Sequence, residues 1–310
     1  MPGQARKSGR KLKEASFEDR DLSDQLSQLH ADKDYFYHEG VFDWALKHER
    51  VDYRKRDFLF EAGKWRGIQF KPLRSSSSSA PTLVVGHSAY DTTVLDLARI
   101  KIQTGYRRIF AENMVHFGGA SRALGARPFP LGLGNPTQET PGHVVFGDYS
   151  LLTEAYATSE NSLTARNFDF IYSNFVVGTA PRYRHKLNQL VSKIGHIRKG
   201  VPDPSKSGRA TFLAEIRESG LVVCPRGRGH DTHRLYETLY MGALPVVLRS
   251  SYQFRICRYF GFPAVGLENW TQLADLDHVN SLAIKESFTG RGIAALRMTN
   301  WIGDEGALLL

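Results

Sequence analysis

The chain of 310 residues has only two cysteines, Cys224 and Cys257, both in apolar surroundings. A disulfide framework is excluded by that count, and the absence of CxxC or a Cys/His cluster excludes a structural zinc site. Two buried thiols in a reducing compartment are expected instead. No run approaches the roughly 18 apolar residues of a membrane span. The basic amino terminus has no apolar stretch behind it, so a secretory signal is not expected and the location read from the sequence is cytoplasmic. GxGxxG after a first strand is missing, and so is GxxxxGK[ST], which removes the common dinucleotide and P-loop readings. Three DxD triplets, Asp19-Arg20-Asp21, Asp32-Lys33-Asp34 and Asp275-Leu276-Asp277, do not follow a buried strand, so no metal is implied.

What is present describes a globular protein: 41% hydrophobic and 11% aromatic residues. Of the net charge of +9, five charges lie in a Gly/Ser-containing tail (Arg6, Lys7, Arg10, Lys11, Lys13), leaving +4 for the body. The tail lacks interleaved aromatics, so nucleic acid is not the expected partner. Residues 1–20 read as a disordered basic tail and 21–79 as an extension with a helix over 21–30, an aromatic segment over 35–44 and a serine run at 75–79.

From residue 81 onward, short apolar runs alternate with helical spacing. Strands are expected at 81–86, 108–111, 127–131 and 143–146, with a helix over 92–103. A second set has strands at 168–175, 220–224 and 244–248 and helices over 181–194, 206–218 and 231–241. Strands alternating with helices predict parallel sheets covered by helices. The fold class read from this is α/β, with two doubly wound units: 80–160 on one side of a cleft, 161–285 on the other, and a carboxyl-terminal segment over 286–310.

Residues 221–248, LVVCPRGRGHDTHRLYETLYMGALPVVL, carry the chemistry. A buried strand leads into Arg226-Gly227-Arg228-Gly229, at the carboxyl end where open α/β sheets bind ligands. The glycines permit positive φ and close backbone approach, and the arginines offer planar forks that match phosphate oxygens. Asp231 is read as the N-cap of the next helix. His233 and Glu237, four residues apart, share a face. Glu237 lies about six residues, roughly 9 Å, along that helix, which suits a diphosphate at the helix start and a ribose at the carboxylate. A solvated helix face is the competing reading, weakened by the apolar strands on both sides.

The stretch 224–237, with Gly242-Ala243-Leu244-Pro245-Val246-Val247 after it, resembles the carboxyl-terminal signature of exostosin-like glycosyltransferases, family 47 in type. Tyr172-Ser173-Asn174-Phe175 with Thr179, Pro181 and Arg184 is a second point of similarity. Val85-Gly86-His87-Ser88, 109–113 and 130–133 give a third. The resemblance covers about 80–270 and implies a GT-B fold, two Rossmann-like domains facing a cleft. It implies transfer of a sugar from a nucleotide-diphosphate donor, foremost a UDP-sugar, to a glycan or glycolipid hydroxyl. The nucleotide sugar is a co-substrate; no cofactor is implied, and peripheral membrane association stays open.

Donor-binding candidates are Arg184, Arg226, Gly227, Arg228, Gly229, Asp231, His233, Arg234 and Glu237. Asp91 and His87, just beyond the strand at 81–86, are the catalytic-base candidates, with Glu112 and His116 in a similar position after the next strand. The alternative is a non-catalytic nucleotide-sugar-binding protein of the same fold.

Overall fold

The computed structural model describes residues 17–37, 40–41, 51–61, 64–72, 82–86, 91–104, 106–134, 136, 147–158 and 168–301. Strands 51–61 and 64–72 are described by their backbone. The basic tail to residue 16, the serine run, His87 and the expected strand at 143–146 lie outside these residues.

Two five-stranded sheets organise the chain. The first contains β1 (Val51–Glu61), β2 (Lys64–Pro72), β3 (Thr82–Gly86), β4 (Arg108–Ala111) and β5 (Ala126–Pro128), in the order β2-β1-β3-β4-β5. The hairpin β1–β2 is antiparallel, and the other neighbours are parallel. The second contains β6 (Ile171–Ser173), β7 (Ile197–Lys199), β8 (Leu221–Val223), β9 (Leu244–Leu248) and β10 (Val265–Leu267), ordered β10-β9-β8-β6-β7 and wholly parallel. The architecture is Rossmann-like. Strand order reverses between β6 and β8, and the carboxyl ends at such a switch point leave a crevice.

The helices are α1 (Phe17–Asp32), α2 (Val94–Thr104), α3 (Gly119–Ala123), α4 (Tyr149–Ala157), α5 (Pro181–Val191), α6 (Lys206–Glu218), α7 (His233–Tyr240), α8 (Tyr252–Phe260), α9 (Leu276–Ala283) and α10 (Gly290–Leu296). Side-chain alternation along each strand assigns them to layers. Leu221, Val223, Leu244 and Val246 pack with Leu187 and Val191 of α5 and Val279 of α9. On the other face, Val222 and Val247 meet Phe212, Leu213 and Ile216 of α6 and Leu235 and Leu239 of α7. That second layer continues into the first sheet through Val84, Phe110 and Phe129. Leu83, Val85, Ile109 and Ala111 point the opposite way, onto Leu97 and Ile100 of α2. The inner faces of both sheets therefore drain into one core.

Tyr35, Phe36 and Trp301 close that core. Tyr35 and Phe36 are buried; the Phe36 ring lies 4.9 Å from that of Trp301, and the Phe36 N–H donates to Tyr240 Oη at 2.8 Å. The aromatic segment after α1 is thus an anchor between the two sheets. Helix α7 ends at Tyr240, and two residues on Gly242 takes φ +75° while Ala243 N–H bonds back to Thr238 O at 3.1 Å. This left-handed residue turns the chain into β9, explaining why a glycine follows Glu237 at that spacing.

Candidate functional site

The loop after β8 leaves the second sheet and crosses to the first. Arg184, in the first turns of α5, fixes its start. Its Nε donates to Arg226 O at 2.8 Å, Nη1 to Val176 O at 2.9 Å and Nη2 to Pro225 O at 3.3 Å. Val176 follows β6 and Pro225 follows β8, so one guanidinium spans the switch point. Burial, with repulsion from Arg234 after it, holds the Arg184 pKa down to about 10. The sequence offers this arginine as a phosphate contact; three of its five N–H groups are directed to backbone carbonyls.

The far end of the loop is fastened to the first sheet. The N–H groups of His230 and Asp231 both donate to Asn113 Oδ1, at 3.0 and 2.9 Å. Asn113, just past β4, adopts φ +48° to present that oxygen. His230 Nε2 meets Asp91 Oδ1 at 2.6 Å. Asp231 Oδ2 accepts from Leu131 N–H at 3.0 Å and Tyr236 Oη–H at 2.7 Å, and Oδ1 accepts from Thr232 N–H at 2.9 Å. Burial, then the Asp231 carboxylate, raises the Tyr236 pKa.

Two expectations are corrected here. Thr232, not Asp231, is the N-cap of α7, because Asp231 sits one residue earlier and its carboxylate ties the loop to 131. Its charge still complements the helix start. Gly227 and Gly229 are absent from the residues with positive φ, and a Cβ on Gly227 meets only ordinary contacts at 3.5 Å or more. The glycine that the site requires is Gly132, φ +71°, where a Cβ would lie 2.5 Å from Phe36 O. His233 Nδ1–H donates to Gly132 O at 2.9 Å.

Within α7, Arg234 lies over the Phe212 ring, 4.8 Å from its centre. Glu237 is buried against Arg209 of α6, N···O 2.8 Å. Asp231, His233, Arg234 and Glu237 thus hold the loop and its helix in place, while Arg228 is exposed.

Between α5, the β8 loop and the segment after β9 lies a cleft of about 680 Å³. It runs along the carboxyl ends of β8 and β9. Its walls carry Arg182 and Lys186 from α5, Arg226 and His230 from the loop, and Arg255 from α8, with no carboxylate among the lining residues. Tyr183 and Trp270 supply aromatic surface. The Arg226 guanidinium lies 4.4 Å from the Tyr183 ring centre, which aims the charge along the cleft. Four cations and no carboxylate among the lining residues make the cleft electropositive, a charge that suits a multiply charged anion.

Asp91 stands at the rim, half exposed and paired to His230. Glu112 is buried behind it, whereas His116 is exposed and lines a second, open cavity with Phe117 and Arg255. Three of the described DxD carboxylates have structural tasks: Asp32 accepts from Arg297, Asp34 accepts from Thr299, and Asp275 caps α9. Among the described residues, no three His, Cys, Asp or Glu side chains group as a metal site, and no helix is long and apolar enough to cross a membrane. Both cysteines are buried free thiols, and burial pushes Cys224 up to about 12.

Tyr183, His230, Gln253 and Trp270 escape the sequence reading. Ser250-Ser251 directly after the strand at 244–248 is the signal that could have found α8 and Gln253, since serine there is an N-cap cue. Asn113 follows β4 by two residues, but its contact with the N–H groups of His230 and Asp231 spans more than a hundred residues and leaves no local signal.

No curated protein matches the chain in sequence. Residues 184–296 match the family model described as the RXYLT1 C-terminal domain. The match runs from α5 to α10 and takes in all cleft-lining residues except Arg182 and Tyr183. That family is xylosyltransferase-like and related to exostosin-like glycosyltransferases, so this part of the chain is glycosyltransferase-like.

Proposed function

We propose that the protein is a GT-B glycosyltransferase that moves a sugar from a nucleotide-diphosphate donor, foremost a UDP-sugar, to a glycan or glycolipid hydroxyl. The observation that carries this reading is the cleft at the carboxyl ends of β8 and β9, cationic through Arg182, Lys186, Arg226 and Arg255 and free of lining carboxylates. A diphosphate fits that charge, and Tyr183 and Trp270 offer flat surface for a base. The match over 184–296 supports the same reaction class.

In the reaction, an acceptor oxygen forms a bond to the anomeric carbon while the bond from that carbon to the diphosphate breaks. The electron pair leaves on the diphosphate, where Arg226 and its cationic neighbours stabilise the charge as it develops. These fixed side chains supply the stabilisation without a metal ion. The acceptor proton goes to Asp91, which the His230 contact holds at the rim. Arg184 positions the loop rather than touching the donor.

Incubating the purified chain with a panel of UDP-sugars and oligosaccharide acceptors tests the reading. Acceptor-dependent release of UDP is expected. Binding of nucleotide sugars without any transfer across the acceptor panel would favour a non-catalytic binding protein instead.

A further inference from the structure

His230 is where the cleft meets the first sheet. Its ring lines the cleft, and Nε2 lies 2.6 Å from Oδ1 of Asp91, between β3 and α2. Its backbone N–H donates to Asn113 Oδ1 at 3.0 Å, and the ring sits beside that of Tyr252, 6.0 Å between centres. One ring nitrogen is therefore committed. The other, Nδ1, has no hydrogen bond among the described residues, yet it is not one of their buried polar atoms that lack a partner. With the side chain 23% exposed, Nδ1 is open to the cleft.

An anion in the cleft needs a donor at that atom. A neutral imidazole that gives its Nε2–H to a carboxylate leaves Nδ1 an acceptor, and a phosphate oxygen only accepts. The imidazolium has an N–H at both nitrogens and answers Asp91 and a phosphate at once. Other charges face the ring. Arg226 and Arg255 share the cleft with it, and Arg182 and Lys186 stand on the α5 wall. Asp231, next in the chain, is occupied by Leu131, Thr232 and Tyr236, and Glu112 lies near Tyr252. A diphosphate among these cations offsets the repulsion they exert on a proton at Nδ1, so the donor and that proton bind together.

We propose that His230 is a further donor contact: a doubly protonated ring whose Nδ1–H binds the leaving diphosphate while its Nε2–H holds Asp91. This rests on the reading of the cleft as a nucleotide-sugar site. The second proton is taken from water as the donor binds and is returned when the diphosphate leaves. One ring then ties the leaving group to the proton acceptor on the other sheet, and it adds positive charge where negative charge develops.

The test is calorimetric titration of UDP-glucose and UDP-xylose into the full chain, His230→Gln and His230→Asn, across about pH 5 to 8 and in two buffers of different ionisation enthalpy. Histidine is the side chain type that changes charge in that range. The diphosphate of a UDP-sugar has no proton to lose there, so a pH dependence belongs to the protein. Wild-type affinity for at least one of the two should fall about tenfold as pH rises, with net proton uptake on binding. Glutamine keeps a donor for Asp91 and asparagine keeps one for the cleft, but neither can become charged. The Asn113 bond is made by the backbone, so both variants are expected to fold. Both should bind more weakly at the acid end, with affinity nearly independent of pH and no proton uptake.

Wild-type binding that neither changes with pH nor takes up a proton overturns the contact and leaves the cleft assignment standing. The same pH dependence in the wild type and the variants also overturns it. A wild type that binds neither sugar nucleotide at any pH overturns the contact together with the function on which it rests.

Discussion

Arg209 of α6 and Glu237 of α7 form an ion pair at 2.8 Å with both side chains only 3% exposed. The pair joins two helices on the inner face of the second sheet, directly behind the loop that frames the cleft. Removing one partner leaves an unmatched buried charge, a loss on the order of 3–5 kcal/mol. Glu237→Ala is therefore expected to lower the urea midpoint strongly before any ligand is considered. The joint replacement Arg209→Met with Glu237→Leu should recover most of that loss. Equal stability of Glu237→Ala and wild type would contradict the pair's structural role.

Arg184 gives a second prediction. Its three donors hold the carbonyls of Val176, Pro225 and Arg226 together. A lysine keeps the charge but cannot reach three acceptors in a planar fork. Arg184→Lys should weaken UDP about tenfold by loosening Arg226, a loss of roughly one charged hydrogen bond. Hydrogen exchange at 226–230 should rise with it. Weakened binding with unaltered exchange would point to direct contact with the donor.

Much of this was legible in the sequence, and the divisions are physical. The strands at 108–111 and 244–248 and the helix over 206–218 coincide with β4, β9 and α6, because fully buried apolar runs and a continuous helical face leave little choice. β7 and β10 are three residues each, too short to show a period. β1 and β2 are rich in charge and show no apolar run; β1 gains its place by pairing with β3, and β2 by pairing with β1. The loop's Arg-Gly-Arg-Gly pattern located the crevice, yet which of its side chains faces the cleft depends on Asn113, Leu131 and Gly132, about a hundred residues away. Local spacing contains no trace of those contacts.

Asp91 provides a test of chemistry separate from binding. As the proton acceptor at the cleft rim, it should lose transfer activity by roughly a hundredfold or more on change to Asn, the usual contribution of a positioned base. UDP affinity should stay within about twofold, since Asp91 is not among the residues lining the cationic cleft. Undiminished turnover in Asp91→Asn would remove it from the mechanism.

His30 links stability to pH. Its ring is buried, stacked on Tyr156 at 3.8 Å, with Nε2–H donating to Tyr240 O at 2.7 Å and Nδ1 bonded to the Tyr35 hydroxyl at 2.8 Å. Burial lowers its pKa from 6.5 to about 4. The unfolded chain then binds the extra proton first as pH falls, so this contribution is present above pH 6.5 and is lost between 6.5 and about 4. The loss is on the order of 3 kcal/mol. Urea unfolding across that range should show it in the wild type and not in His30→Gln. An identical pH dependence in both would rule out His30 as its source.

Titration of UDP into the wild type and Arg226→Ala at two salt concentrations tests whether the cleft beside Arg226 receives a nucleoside diphosphate. Saturable binding is expected that weakens with salt and falls between about tenfold and a hundredfold in Arg226→Ala, the loss expected for charged hydrogen bonds to phosphate. Equal UDP affinity in the two proteins, or no binding to the wild type, would contradict it.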